Sequence, residues 1–258
     1  MNAIYNMDCV QGMKSLPADI VDLTITSPPY NLGVDYNKYK DTLTLDEYKE
    51  QIHSMCEELY RLSKYGGRVC INIPIITKDW GNNKERISAD QIFQNCLDEV
   101  GFTFREKIIW NKRGVSKRSA WGSYMKPSCP WVTYPIDVIL VYVKGSQKLP
   151  VKHKDLITIS KEEFIRCSYG LWRINKAVVK CSKRKSKNED KLKHPATFPK
   201  EIPQRLINFY SYKDAVVLDP YMGIGTTCMA AKELERKYIG FEIDEEYYNY
   251  AKKALEVE

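Results

Sequence analysis

Long apolar runs are missing from this 258-residue chain, and without about 20 consecutive apolar residues no helix can span a bilayer. A helical membrane protein is thereby excluded. The opening Met1-Asn2-Ala3 does not begin a signal peptide, so the expectation is a cytoplasmic protein. Cys-x-x-Cys pairs are missing too: the eight cysteines stand at 9, 56, 70, 96, 129, 167, 181 and 228, and no zinc or other metal site is expected. Several lie in apolar stretches, such as Cys70 within Arg68–Ile73, where a free thiol behaves as a small core residue. A strong charge imbalance is also lacking. With 40 basic against 33 acidic residues the net charge is only +7, so where the charges sit matters more than their sum.

What is present is enough apolar material, 43% of residues, for one large domain with an insert. The run Ile20-Val21-Asp22-Leu23-Thr24-Ile25-Thr26 reads as a strand, and it stops at Ser27-Pro28-Pro29-Tyr30. Proline fixes φ and has no N–H, so consecutive prolines hold the backbone extended and leave carbonyl oxygens free to accept hydrogen bonds. An exocyclic base amine could donate to those oxygens, and the Tyr30 ring offers a face on which a base could stack. A strand end closed by a Pro-rich turn is the other reading.

The second half contains Val216-Val217-Leu218-Asp219-Pro220-Tyr221-Met222-Gly223-Ile224-Gly225-Thr226-Thr227, a helix-like stretch Cys228–Lys237, then Tyr238-Ile239-Gly240-Phe241-Glu242-Ile243-Asp244. This is a strand, a glycine turn, a helix and a second strand ending in an acid. Glycines at such a turn let the backbone approach a ligand, and an acid on the next strand can take ribose hydroxyls. Glu242 follows Gly225 by 17 residues, near the spacing of a nucleoside-binding βαβ unit. Glycines serving only close helix–strand packing would leave the same pattern.

The rest of the chain alternates strands and helices. Ile4–Met7 reads as a strand, followed by a short helix ending at Leu16-Pro17. Leu45, Tyr48, Ile52, Met55, Leu59 and Leu62 have helical spacing across Thr44–Ser63, with Thr44 as N-cap and Glu47 three positions on. Gly66-Gly67 is expected to turn the chain into a strand Arg68–Ile73, followed by a helix Ala89–Val100 closed by Gly101, a strand Phe102–Trp110 and a strand Ile136–Val143. Such alternation predicts a doubly wound α/β fold with a mostly parallel sheet, whose ligands sit beyond the carboxyl ends of the strands. Residues 112–133 and 146–190 break the rhythm.

Together these segments resemble the amino-methylating DNA methyltransferases that use S-adenosylmethionine, in the circularly permuted order called the β group. Members carry a Ser/Asp/Asn-Pro-Pro-Tyr element near the N-terminus and an Asp-Pro-Phe-x-Gly-x-Gly-Thr element near the C-terminus, as here, with Tyr221 in place of the commoner phenylalanine and Ile224 where a small residue is usual. Asn6-Met7-Asp8-Cys9, His194-Pro195-Ala196-Thr197-Phe198-Pro199 and Glu242-Ile243-Asp244 match further motifs. The resemblance covers nearly all of the chain except about 112–190. It implies a Rossmann-like methyltransferase domain over 1–258, with a catalytic half 1–111, a target-recognition insert at about 112–190 interrupted by strand 136–143, and a cofactor half 191–258.

By the same resemblance, Ser27, Pro28, Pro29 and Tyr30 are the catalytic residues. Asp8, Cys9, Thr197, Phe198, Asp219, Pro220, Tyr221, Gly223, Gly225, Thr226, Glu242 and Ile243 are the cofactor residues, with Asp8 on the adenine amine, Glu242 on the ribose and Thr226 near the methionine carboxylate. His194 either contacts cofactor or shapes its loop. An exocyclic amine is a poor nucleophile, so acceptors at Ser27 Oγ and the Pro28 carbonyl would hold its hydrogens and stabilise the charge that develops on nitrogen. The target base must leave the duplex to reach them.

The partner implied is double-stranded DNA, with a cognate restriction endonuclease as a further partner of a monomer or homodimer. Lys112, Arg113, Lys117 and Arg118 stand among glycine, small hydroxyls and aromatics, a mixture suited to phosphates and unstacked bases or to an ordinary surface loop. Lys183, Arg184 and Lys185 belong to a run with eight basic residues between Lys176 and Lys193, either a solvated loop, a phosphate-contacting arm or both. In the family resembled, serine at the place of Ser27 leans toward cytosine methylated at N4, with adenine N6 the alternative. An RNA methyltransferase and a non-catalytic DNA-binding relic are the readings from other classes.

Overall fold

The computed structural model describes residues 2–31, 35–36, 39–75, 87–112, 122–132, 134–150, 152–175 and 198–257. In chain order the strands are β1 (Asn2–Asn6), β2 (Val21–Thr26), β3 (Asp35–Tyr36), β4 (Tyr39–Lys40), β5 (Ser63–Pro74), β6 (Thr103–Asn111), β7 (Ile136–Val143), β8 (Leu171–Arg173), β9 (Val216–Asp219) and β10 (Lys237–Glu242). The helices are α1 (Cys9–Lys14), α2 (Leu45–Leu62), α3 (Ala89–Glu99), α4 (Lys161–Cys167), α5 (Glu201–Tyr210), α6 (Thr226–Glu233) and α7 (Glu245–Leu255).

Eight strands form one sheet in the order β1-β10-β9-β2-β5-β7-β6-β8, in which only β7 runs antiparallel to its neighbours, while β3 and β4 pair separately. The expected α/β fold is therefore the one observed. The chain's first strand lies beside its last, Asn2–Asn6 in register with Tyr238–Glu242, and Asn6 Nδ2 ties the two ends by donating to the Glu242 carbonyl at 2.9 Å.

Alternation along the central strands decides which helices cover which face. Val69, Ile71 and Ile73 pack with Met13, Ile52, Met55, Phe93 and Leu97 from α1, α2 and α3. Cys70, Ile139 and Val141 face the other way, against Leu206, Ile207, Ala230, Ala231, Ala251 and Leu255 from α5, α6 and α7. Each fully buried aliphatic or aromatic side chain in these layers contributes about 1.5–3 kcal/mol. Helix α2 begins as expected: Thr44 Oγ1 accepts from the Glu47 amide while Glu47 accepts from the Thr44 amide, a reciprocal capping box.

Three expectations change. Gly66-Gly67 does not precede the strand but lies within β5, which leaves α2 with no intervening loop; Val21 pairs with Ser63 and Leu23 with Arg68, and Gly66 takes φ +83° to absorb the bulge between them. Helix α6 stops at Glu233, four residues early, because the chain turns at Glu235 (φ +60°) to enter β10. Within the stretch that breaks the α/β rhythm, residues 161–173 form α4 and β8, and β8 extends the sheet by pairing with β6. Helices α5 and α7 went unrecognised in the sequence, although Asp244 caps α7 and Tyr247, Ala251 and Leu255 recur at helical spacing. Among the described residues no helix is long and apolar enough to cross a membrane.

Candidate active site

Because β1, β10, β9, β2 and β5 are parallel, their carboxyl ends share one edge of the sheet, and a cleft opens there. The two sequence motifs meet beneath it. Thr26, the last residue of β2, donates its hydroxyl to Asp219 Oδ1 at 2.9 Å, and the Tyr221 amide donates to the same oxygen at 3.1 Å. Asp219 is only 1% exposed, and burial pushes its carboxyl up to about 6 against those hydrogen bonds. This acid thus fastens the floor of the cleft rather than lining it.

From Asp219 the chain climbs through Pro220, Tyr221 and Met222 to Gly223 (φ +54°) and Gly225 (φ +85°), conformations that L side chains rarely adopt. The turn is pinned from the next strand: the Gly223 amide donates to Glu242 Oε2 at 2.9 Å, and the Asp244 amide to Glu242 Oε1 at 2.8 Å. Burial raises the Glu242 carboxyl to about 7; the two amides oppose the shift, and the charges of Asp244 and Asp219 add to it. Gly225 lies behind the cleft, where a Cβ would approach Ala251 Cβ to 3.1 Å. It is the N-cap of α6 and offers no side chain to the first-turn amides, so the helix start at Thr226 is uncapped where it meets the cleft.

Opposite this turn stands the Ser-Pro-Pro-Tyr loop. Ser27 Oγ and the Tyr30 hydroxyl are 2.5 Å apart, and the Tyr30 hydroxyl donates to the Asn72 carbonyl at 3.0 Å. Asn72 Nδ2 donates to the same hydroxyl at 3.1 Å. The buried Tyr48 donates to the Pro29 carbonyl at 2.9 Å, whereas no bond to the Pro28 carbonyl occurs among the described residues. The loop is therefore rigid, with one carbonyl committed and its neighbour available.

All four residues expected to be catalytic line the cleft, as do Asp8, Cys9, Phe198, Pro220, Tyr221, Gly223, Thr226, Glu242 and Ile243. Asp8 also caps α1, its Oδ1 accepting from the Gln11 amide at 2.9 Å. Burial pushes the Cys9 thiol up to about 12, which makes it a packing group and not a nucleophile. Ile243 is 41% exposed, an apolar side chain at the rim. Thr197 and His194 lie outside the described residues, as do Arg113, Lys117, Arg118, Lys183, Arg184 and Lys185. Lys112 is described, and its ammonium pairs with the buried carboxylate of Asp137 and sits 5.2 Å from the centre of the Trp110 ring. Its charge is already engaged inside the protein.

Sequence reasoning missed Gln51, Phe241, Asp244 and Tyr247 on the cleft wall, and Asn72 and Tyr48 behind the loop. Asp244 and Tyr247 carried a signal in the α7 cap and spacing. Nothing in the sequence distinguishes Gln51 or Asn72 from other polar residues on their elements.

The profile of the N6/N4 DNA methylase family matches residues 21–253. The type II methyltransferase M.MjaVI of Methanocaldococcus jannaschii is 43% identical over 157 residues, covering 61% of this chain and 78% of that protein. A Thermus thermophilus protein described as a DNA modification methylase, solved with S-adenosyl-L-methionine, superposes with a TM-score of 0.75 at 23% identity, covering 99% of this chain and 95% of that one. The PvuII DNA methyltransferase, described as cytosine-N4-specific, superposes with a TM-score of 0.70 at 20% identity over 98% and 86% of the two chains. The two structures share the fold, and the family match spans nearly the whole sheet together with both arms of the cleft. The chain belongs to the N6/N4 DNA methylases, enzymes that use S-adenosylmethionine.

Proposed function

We propose that this protein is a site-specific DNA methyltransferase of the β group, methylating the exocyclic N4 amine of a cytosine flipped out of duplex DNA, in a restriction–modification system. The observation that carries the reading is the pairing of two acceptors, Ser27 Oγ and the Pro28 carbonyl, on the wall that faces the Gly223–Glu242 turn. The type II designation of M.MjaVI supports the restriction–modification setting, and the cytosine-N4 description of the PvuII enzyme agrees with serine at position 27.

The cleft suits S-adenosylmethionine on its own chemistry. Glu242 holds both carboxylate oxygens in place with backbone amides and would accept the ribose hydroxyls; Asp8, with Oδ2 uncommitted by its capping bond, would accept from the adenine amine; Ile243 offers an exposed apolar surface to the ring. The uncapped start of α6 at Thr226 would receive the methionine carboxylate, since free first-turn amides favour an anion. When bound, the cofactor supplies an electrophilic methyl group.

The protein's own part is positioning and electrostatics. The target amine shares its lone pair with the ring, and two acceptors gripping its hydrogens favour the pyramidal geometry and stabilise the positive charge gained as the new N–C bond forms. Tyr48 keeps the Pro29 carbonyl out of competition, so the amine is directed to Pro28. Tyr30, anchored by its hydroxyl, would stack on the base and help offset the few kcal/mol of unstacking. Incubating the protein with isotopically labelled cofactor and duplex DNA, then resolving the nucleosides by mass spectrometry, should yield label in N4-methylcytosine. Label confined to N6-methyladenine would overturn the base assignment.

A further inference from the structure

We propose that Asn72 is a positioning residue which, through Tyr30, turns the Ser27 hydroxyl so that a lone pair and not its proton faces the target amine. The inference rests on the methyl-transfer reading above and deepens it.

It follows from counting protons. The Tyr30 hydroxyl has one, and the Asn72 backbone carbonyl 3.0 Å away can only accept, so the phenol proton is spent there. Asn72 Nδ2, 3.1 Å from the phenol oxygen, can only donate to it. The contact of that oxygen with Ser27 Oγ at 2.5 Å is then satisfied only if serine is the donor. With its proton given to Tyr30, Ser27 keeps lone pairs: one takes a weak bond from Asn72 Nδ2 at 3.4 Å, and another is left for the cleft.

The orientation of the Asn72 amide does not undo this. As placed, its buried Oδ1 has no partner among the described residues, at a cost of roughly 1–3 kcal/mol for one unmet acceptor. Exchanging the two ends would leave two N–H donors in that position instead. Even then Oδ1, 3.1 Å from the phenol oxygen and 3.4 Å from Ser27 Oγ, could only accept, so the serine proton would pass to Tyr30 or to Oδ1 and again stay within the protein. Ser27 and the Pro28 carbonyl thus form an acceptor-only pair matched to the two amine hydrogens, and the motif donates nothing to a ring nitrogen.

A double-mutant cycle tests the proposal. The readouts are the single-turnover rate of methyl transfer to duplex DNA and the affinity for S-adenosylmethionine. Asn72→Leu, which keeps the branching at Cγ and removes the unmet acceptor, should slow transfer about tenfold, the effect of one hydrogen bond, and change cofactor affinity less than about twofold. Tyr30→Phe should slow transfer by at least as much. Adding Asn72→Leu to Tyr30→Phe should then cost less than about twofold, because Asn72 acts through the missing hydroxyl. Asn72→Ser, smaller and still polar, provides a second probe should the leucine variant fold poorly, with the same lack of additivity expected. Equal losses in both backgrounds, or a matching fall in cofactor affinity, would overturn the positioning role while leaving the enzyme's activity established. Absence of transfer by the wild-type protein to any DNA would instead sink the reading on which the proposal depends.

Discussion

At the scale of single residues, Glu242 carries the most consequential tension. Its carboxyl is raised to about 7 by burial, yet an acceptor of ribose hydroxyls must be ionised. Binding that favours the ionised form lowers this value, so affinity for S-adenosylmethionine should rise with pH. From pH 6 to pH 8 the ionised fraction grows about tenfold around a midpoint near 7, and the dissociation constant measured by calorimetry should fall by a similar factor. Glu242→Gln, which cannot titrate, should bind more weakly and show no such slope. A pH-independent affinity in the wild type would remove Glu242 from the ribose site. Asp219 is also raised, to about 6, but its carboxylate is spent on Thr26 and the Tyr221 amide, and it shapes the turn from beneath.

At the scale of elements, the cleft depends on how closely α1 lies on β10. A Cβ on Gly12 would come within 2.2 Å of the Phe241 ring, which lies on the cleft wall one residue before Glu242. Gly12→Ala should therefore cost roughly 1–3 kcal/mol by overpacking and weaken cofactor binding as well. Thr44→Ala, at the start of α2, should cost about 1 kcal/mol by losing the capping box, lowering the melting temperature by a few degrees and leaving cofactor affinity unchanged. Thermal denaturation with and without cofactor distinguishes the two variants; equal cofactor affinity in both would mean that Phe241 does not transmit its position to the site. The capping box was readable from Thr44 and Glu47, since it is a contact between residues three apart. The Gly12 contact was not, because it joins residues 229 positions apart through packing alone.

For the whole molecule, the modest net charge of +7 leaves DNA affinity to local clusters. Lys112 is engaged with Asp137 and so is a poor candidate for a phosphate contact. Lys183, Arg184 and Lys185 are the better ones on sequence grounds. Replacing all three with alanine should reduce the slope of log K against log salt by up to about 3 while leaving the recognised sequence unchanged. An unaltered salt dependence, measured by fluorescence anisotropy on labelled duplex, would show that the run plays no part in holding DNA.

Residue order alone carried the alternation of strands and helices, the two motifs at strand ends and the acid that follows the glycine turn. These depend on backbone chemistry confined to a few neighbours: prolines that stiffen, glycines that permit positive φ, and apolar spacing that selects helix or strand. Which members of the motifs face the cleft was settled by long-range packing. It placed Asp219 beneath the floor and Gly225 behind it, brought Gln51 and Tyr247 to the wall, set Asn72 behind Tyr30 across 42 positions and paired Lys112 with Asp137. The physical reason is that burial and hydrogen bonding between distant segments are fixed by sheet order and helix packing, and no local pattern of residues encodes which partner a polar group will meet.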